Sequence, residues 1–183
     1  MRYLTWPLAL LLIIVLSFYV VSCQTVTQST TTTTTLPATP TNRPSAPVTG
    51  FLSLNLGDAY YLVAQNYGPA VEKPVNPGTM LVYETPTDTA NMNFYVVTGE
   101  IISIMSATSS HNICGVTVGL SESAVTGLIG AYENKVNGTS YYYWNYPSIN
   151  LSVGFLNTTH LVHSFGIYDP AKVSSPPEWR PRN

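Results

Sequence analysis

One segment of this chain occurs twice, and this duplication limits the possible folds more than any other feature. Residues 52–69 read LSLNLGDAYYLVAQNYGP, and residues 114–132 read CGVTVGLSESAVTGLIGAY. The two segments align without a gap at an offset of 62 residues, which places Gly57 opposite Gly119. A match at one fixed offset is typical of a duplicated supersecondary unit. The two halves of the chain are therefore expected to share one fold.

Each copy has the pattern of a helix followed by strands. Two alternating apolar residues lead to a glycine, and apolar residues at helical spacing follow. Since a unit of about 60 residues is marginally stable alone, the copies are expected to pack together. The predicted fold is α+β: two tandem copies of a helix plus three-stranded antiparallel meander unit, packed as one domain after a disordered linker. The predicted strands cover 80–83, 93–97 and 101–105, and then 141–144, 150–156 and 161–168.

The motif that opens each copy resembles a known family. An apolar-x-apolar-Gly start, a valine and a Tyr-Gly-Pro end, followed by an aromatic strand and a hairpin, resemble the BamE/SmpA-OmlA family and the related tandem β-lactamase inhibitor proteins. The resemblance spans roughly residues 51–169, but Ala124 stands three residues after Ser121 where the family has an acidic or amide side chain. It implies a lipid-anchored tandem α+β domain. It does not imply outer-membrane protein assembly, because the family's partner-contact residues have no match here.

The N-terminal residues predict export. Residues 1–22 read MRYLTWPLALLLIIVLSFYVVS, with Arg2 before a long apolar run, which is the layout of a signal peptide. The run ends in Val-Val-Ser-Cys, which resembles the bacterial lipobox and implies cleavage and acylation at Cys23. Several acyl chains on one residue give stable anchoring. Two alternatives stay open: an uncleaved anchor, since the apolar run is long enough to span a bilayer, and free secretion.

The remaining chain divides by composition. Residues 23–50 are nearly all Thr, Ser, Pro and small residues, which predicts a disordered tether because little apolar surface offsets the entropy of ordering. The two α+β repeats are assigned to residues 51–110 and 111–170. Residues 171–183 predict a Pro-rich extended tail. Within it Trp179 and the neighbouring arginines are a candidate contact with a partner or lipid, and a frayed terminus is the alternative.

The chemistry-bearing residues do not form a recognisable catalytic motif. Only 9% of residues are charged and the formal net charge is −2, which gives no electrostatic basis for binding nucleic acid. His160 and His163 lie three apart in a predicted strand, so their side chains point to opposite faces. Cys114 near His111 is a candidate nucleophile with a base, and burial as a small apolar residue is the alternative. We therefore expect no enzyme activity, metal or cofactor.

The sequence SYYYWNY at 140–146 is the best candidate for a recognition surface. In a strand, Tyr141 and Tyr143 face one side, and Tyr142 and Trp144 face the other. One side can pack on the helix, whereas the other either packs on the second copy or exposes aromatic rings of the kind enriched at interfaces. The candidate binding residues are Tyr141, Tyr143, Trp144 and Tyr146.

These features together predict a membrane-anchored lipoprotein that faces outside the cytoplasm. Its expected partners are the membrane, through acylated Cys23, and an envelope protein bound in a non-catalytic or scaffolding role. A small-ligand or cell-wall glycan binder that stacks sugars on the same aromatic residues is the alternative. An enzyme that uses Cys114 is a third hypothesis.

Overall fold

The structure, a computed structural model, describes residues 39–84 and 91–178. The signal peptide, Cys23, the first part of the predicted tether and the end of the tail from Trp179 lie outside these residues. The elements are β1 (Gly50–Phe51), β2 (Leu54–Asn55), α1 (Tyr61–Tyr67), β3 (Val71–Val75), β4 (Gly78–Tyr83), β5 (Met92–Val97), β6 (Glu100–Ser106), α2 (Glu122–Ile129), β7 (Asn134–Asn137), β8 (Tyr141–Tyr146), a 3₁₀ turn (Pro147–Ile149), β9 (Leu151–Leu156) and β10 (Val162–Tyr168).

Strands β3 to β10 form one continuous antiparallel sheet. Its order is β3-β4-β5-β6-β10-β9-β8-β7, so each half consists of a helix followed by four strands that neighbour one another in sequence. The two halves meet where β6 pairs with β10, with Ser106 opposite Phe165 and Ser103 opposite Tyr168. The backbone hydrogen bonds of the sheet therefore run without a break through the middle of the described domain.

The predicted fold class is wrong. The domain is mostly β, with eight strands in one sheet and two short helices among the described residues, and not two units of a helix plus three strands. The prediction missed β3 (VEKPV) and β7 (NKVN), which form the two edges of the sheet. Edge strands carry charged residues and proline that prevent further strand pairing, so they lack the alternating apolar pattern of a half-buried strand.

The helices pack on one face of the sheet. Val63 of α1 and Val125 of α2 are fully buried against this face. The strands contribute large apolar side chains to the same core, since the alternate residues of each strand point the same way. These include Phe94, Ile104, Leu151, Val153, Phe155, Phe165 and Ile167.

Both helices end in the same way. Gly68 and Gly130 follow α1 and α2 with φ of 80° and 88°, a region that glycine enters without a steric penalty. A strand tyrosine then donates to each glycine carbonyl: Tyr83 to Gly68 O at 2.8 Å, and Tyr146 to Gly130 O at 3.2 Å. These bonds satisfy a helix-terminal carbonyl and fix each helix end to the sheet.

The last part of the predicted tether, residues 39–50, is in contact with the domain. Asn42 N donates to Leu128 O at 2.8 Å, and Val48 N donates to Ile149 O at 3.0 Å. Arg43 donates to Ile129 O at 2.9 Å and forms an ion pair with Glu133. Residues 39–50 are thus attached to α2 and to the 3₁₀ turn, contacts that composition alone does not reveal.

Candidate functional site

The aromatic strand β8 lies inside the domain. All six of its residues are buried, with at most 7% of any residue exposed. Trp144 and Tyr146 point into the core beneath the helices, whereas Tyr141 and Tyr143 belong to a separate cluster that includes Met105. The four residues expected to form a binding face thus lie on two sides of the sheet, and their burial favours the core-packing alternative.

Cys114 is a free thiol that is half-buried. Burial raises the pKa of this thiol, and burial lowers the pKa of His111. His111 Nδ1 lies 2.8 Å from Ser106 Oγ, so the imidazole is engaged by a serine. Since the thiolate is the nucleophilic form, this environment does not activate the cysteine.

We expect alkylation of Cys114 by iodoacetamide to be slower than that of a free thiol at neutral pH. The rate should still be rising with pH above about 8.5, the ordinary thiol pKa, because the folded state disfavours the thiolate. Measurement in a Cys23→Ser background leaves Cys114 as the sole cysteine. A rate that levels off below neutral pH would show an activated cysteine instead.

The three histidines do not form a metal site. His163 stacks on Tyr141, with the ring centroids 4.9 Å apart, and His160 contacts Tyr142 on the helix-facing side. Within residues 39–84 and 91–178, no group of three or more His, Cys, Asp or Glu side chains is placed to hold a metal ion.

A compact cluster surrounds the hydroxyl group of Tyr142. This hydroxyl donates to Glu122 Oε1 and lies 2.9 Å from His160 Nδ1. Lys135 Nζ lies 4.2 Å from the centroid of the Tyr142 ring, a cation–π distance. Beneath it, the Phe155 ring stacks on Tyr142 at 5.3 Å. Burial and the Glu122 carboxylate raise the pKa of Tyr142, so the phenol stays protonated and donates.

An open cleft of about 290 Å³ lies in the other half of the sheet. One side of it is the exposed ring of Tyr60, which is 50% exposed, and Tyr61, the next residue in the chain, is 61% exposed. Its floor is built by β4 and β5, where Thr79 is directly opposite Val96. The cleft is lined by Tyr60, Glu72, Thr79, Leu81, Val96 and Gly99.

Glu72 supplies an unpaired charge at this cleft. In the described part of the chain its carboxylate has no ion-pair partner, whereas Glu84, Glu100 and Glu133 are paired with Lys73, Lys172 and Arg43. An exposed carboxylate beside an aromatic ring and an apolar floor can bind a cationic group. We name these six lining residues the β4–β5 cleft; Tyr61 follows Tyr60 in the chain and is also exposed.

Sequence reasoning did not single out any residue of the β4–β5 cleft. One signal was available: in the alignment of the two copies, Tyr60 and Tyr61 stand opposite Glu122 and Ser123. The start of one helix carries two solvent-facing tyrosines, whereas the matching positions of the other helix carry polar residues. Helix packing does not require exposed tyrosines there, so they indicate a role in binding.

No family model matches the chain, and no curated protein matches it in sequence. Solved structures with a similar fold exist at 11–12% identity. An extracellular protein containing an SCP domain from Bacillus anthracis has a TM-score of 0.50, with 74% of this chain and 51% of that chain covered. A cysteine-rich secretory protein from Staphylococcus aureus has a TM-score of 0.49, with 73% and 50% covered. The chain therefore spans about half the length of these two proteins.

A DUF4309 family protein from Bacillus subtilis is a third neighbour, with a TM-score of 0.46, 61% of this chain and 78% of that chain covered. The resemblance to the BamE/SmpA-OmlA family and the β-lactamase inhibitor proteins is wrong, because the domain is mostly one eight-stranded sheet and its fold is similar to that of the SCP-domain protein from B. anthracis. The short motif with its spaced glycines is compatible with more than one sheet fold.

Proposed function

We propose that this chain is an extracytoplasmic, lipid-anchored binding protein that engages a partner protein through the β4–β5 cleft and carries out no catalysis. The observation that carries the proposal is the cleft itself. It combines the exposed Tyr60, an apolar floor and an unpaired carboxylate, whereas the aromatic residues of β8 are buried.

The cleft has the composition of a protein-recognition surface. Tyrosine is enriched at interfaces because its ring covers apolar area while its hydroxyl stays hydrated. Leu81 and Val96 supply the apolar floor beneath the ring of Tyr60. A cleft of about 290 Å³ is at the low end of small-molecule pockets, roughly 300–1,000 Å³, and is open to solvent. This size and openness favour a protruding side chain over a whole small ligand.

The anchoring part of the proposal rests on the lipobox that ends at Cys23. The chain enters the domain along α2, through Asn42 and Arg43, and the cleft lies in the half that contains α1. An extracytoplasmic location is compatible with the extracellular neighbour from B. anthracis. No helix among residues 39–84 and 91–178 is long and apolar enough to cross a membrane.

Site-specific photo-crosslinking in the native host tests this proposal. A benzoylphenylalanine at Tyr61 is expected to give a discrete adduct with one envelope protein. The same substitution at Tyr132, which is 43% exposed in the other half, is the matched control and should give none. Equal adducts from both positions, or none from Tyr61, would remove the support for the cleft as the binding surface.

A further inference from the structure

The β4–β5 cleft and the Tyr142 cluster occupy matching positions in the two halves of the sheet. Thr79 is opposite Val96 across β4 and β5, and Tyr142 is opposite Phe155 across β8 and β9. The edge strands follow the same register: Glu72 is opposite Leu81, and Lys135 is opposite Trp144. Four residues of the cleft thus correspond to Lys135, Tyr142, Trp144 and Phe155.

The remaining two cleft residues also have counterparts. A backbone bridge joins Ala59 to Glu100, and the matching bridge joins Ser121 to Leu161. Tyr60 follows Ala59 as Glu122 follows Ser121, so Tyr60 corresponds to Glu122. Gly99 precedes Glu100 as His160 precedes Leu161, so Gly99 corresponds to His160. Both turn residues have positive φ, 84° at Gly99 and 56° at His160.

The comparison explains why one half has a cleft. In the second half the buried phenol of Tyr142 occupies the space between the helix and the strands, and the largely exposed imidazole of His160 contacts it. In the first half Thr79 and Gly99 stand at these positions and supply no ring. The β4–β5 cleft therefore lies at the position that the Tyr142 ring fills in the other half.

The charge beside this volume is reversed. Lys135 lies over the face of the Tyr142 ring, whereas its counterpart is Glu72. A ring face carries negative electrostatic potential, so a carboxylate at this position disfavours a second aromatic ring and favours a cation. The group that fits is planar and positively charged and is attached to an apolar stem.

We propose that the β4–β5 cleft binds an arginine side chain of the partner protein. The aliphatic stem lies on Leu81 and Val96, the guanidinium plane stacks against Tyr60, and Glu72 accepts its N–H groups. Arginine fits better than lysine because its guanidinium is planar, stacks on aromatic faces and donates to a carboxylate through two N–H groups. This inference rests on the proposed function, since it identifies the group that the cleft recognises.

Methyl NMR on the full chain in detergent tests the inference with a defined probe. N-acetyl-arginine N-methylamide is expected to shift the methyl signals of Leu81 and Val96 with a dissociation constant of about millimolar, as usual for so small a ligand. The methyl signals of Val153, in the other half, should not move. The neutral isostere N-acetyl-citrulline N-methylamide should bind at least about tenfold more weakly, because it cannot form the ion pair.

Two variants make the result decisive. Glu72→Gln is expected to weaken arginine binding at least about tenfold, while Glu122→Gln, which removes the carboxylate of the filled half, should leave it unchanged. Equal binding of the citrulline derivative, an unchanged Glu72→Gln variant or no shifts at roughly 50 mM arginine derivative would overturn the inference. If the Tyr61 adduct forms in cells despite such a result, the proposed function stands and only the arginine assignment fails.

Discussion

Replacing Phe155 by alanine is expected to lower the free energy of unfolding by about 4 kcal/mol. The Phe155 side chain is fully buried. Its ring lies 5.3 Å from that of Tyr142 with an interplanar angle of 10°, and 4.6 Å from that of Trp144. Truncation therefore removes buried apolar area and two ring contacts, and it leaves a cavity that β8 and β9 cannot close. Urea or guanidinium unfolding followed by circular dichroism measures the change.

The matched control for this prediction is Phe155→Leu. Leucine keeps most of the apolar volume, so its cost should be about 1–2 kcal/mol. A loss below about 1.5 kcal/mol for the alanine variant would show that the ring packing around Tyr142 is not rigid, and the contrast between filled and open halves would lose its basis.

Gly166→Ala is expected to destabilise the domain by about 3 kcal/mol. A Cβ at Gly166 would lie 2.0 Å from Ile104 O and 2.8 Å from Met105 Cα, which are backbone atoms. Gly166 is directly opposite Met105 in the β6–β10 pairing that joins the two halves of the sheet. The two central strands must therefore move apart to accept even one methyl group, and hydrogen bonds at the centre of the sheet weaken.

Gly127→Ala provides a control of opposite sign. Gly127 lies in α2, and a Cβ added there would meet no atom within 4 Å beyond the backbone of its own helix. Alanine should therefore stabilise the helix by about 0.5–1 kcal/mol. The pair is compared by thermal and chemical unfolding of otherwise identical chains. A Gly166→Ala variant as stable as the parent would contradict the continuous eight-stranded sheet.

The inner strands could be read from the sequence because they carry alternating or continuous apolar residues. The pattern predicts strands at 101–105 and 161–168, and the structure has β6 (Glu100–Ser106) and β10 (Val162–Tyr168). The order of the strands in the sheet could not be predicted from the sequence. The β6–β10 pairing joins residues about 60 apart in the chain, and such a pairing leaves no local sequence pattern. The edge strands β3 and β7 were not predicted because they carry charged residues and proline in place of alternating apolar residues. The same residues prevent further strands from pairing with these edges.

The site was harder to predict than the strands. The cleft forms where the side chains are small, and Thr79 and Gly99 belong to no sequence motif that would indicate a binding site. The aromatic run at 140–146 predicts a binding surface, but the aromatic residues of β8 are buried. Only the register of the whole sheet reveals that the small residues of one half stand where the other half has rings.

The most direct test of the account is to fill the cleft and measure crosslinking from Tyr61. Thr79→Tyr places in the first half the ring that Tyr142 supplies in the second, while Thr79→Ser leaves the cleft open. The account predicts that the Tyr61 adduct disappears in the folded Thr79→Tyr protein and persists in Thr79→Ser. An adduct of equal yield in both variants would contradict the claim that the partner binds in the β4–β5 cleft.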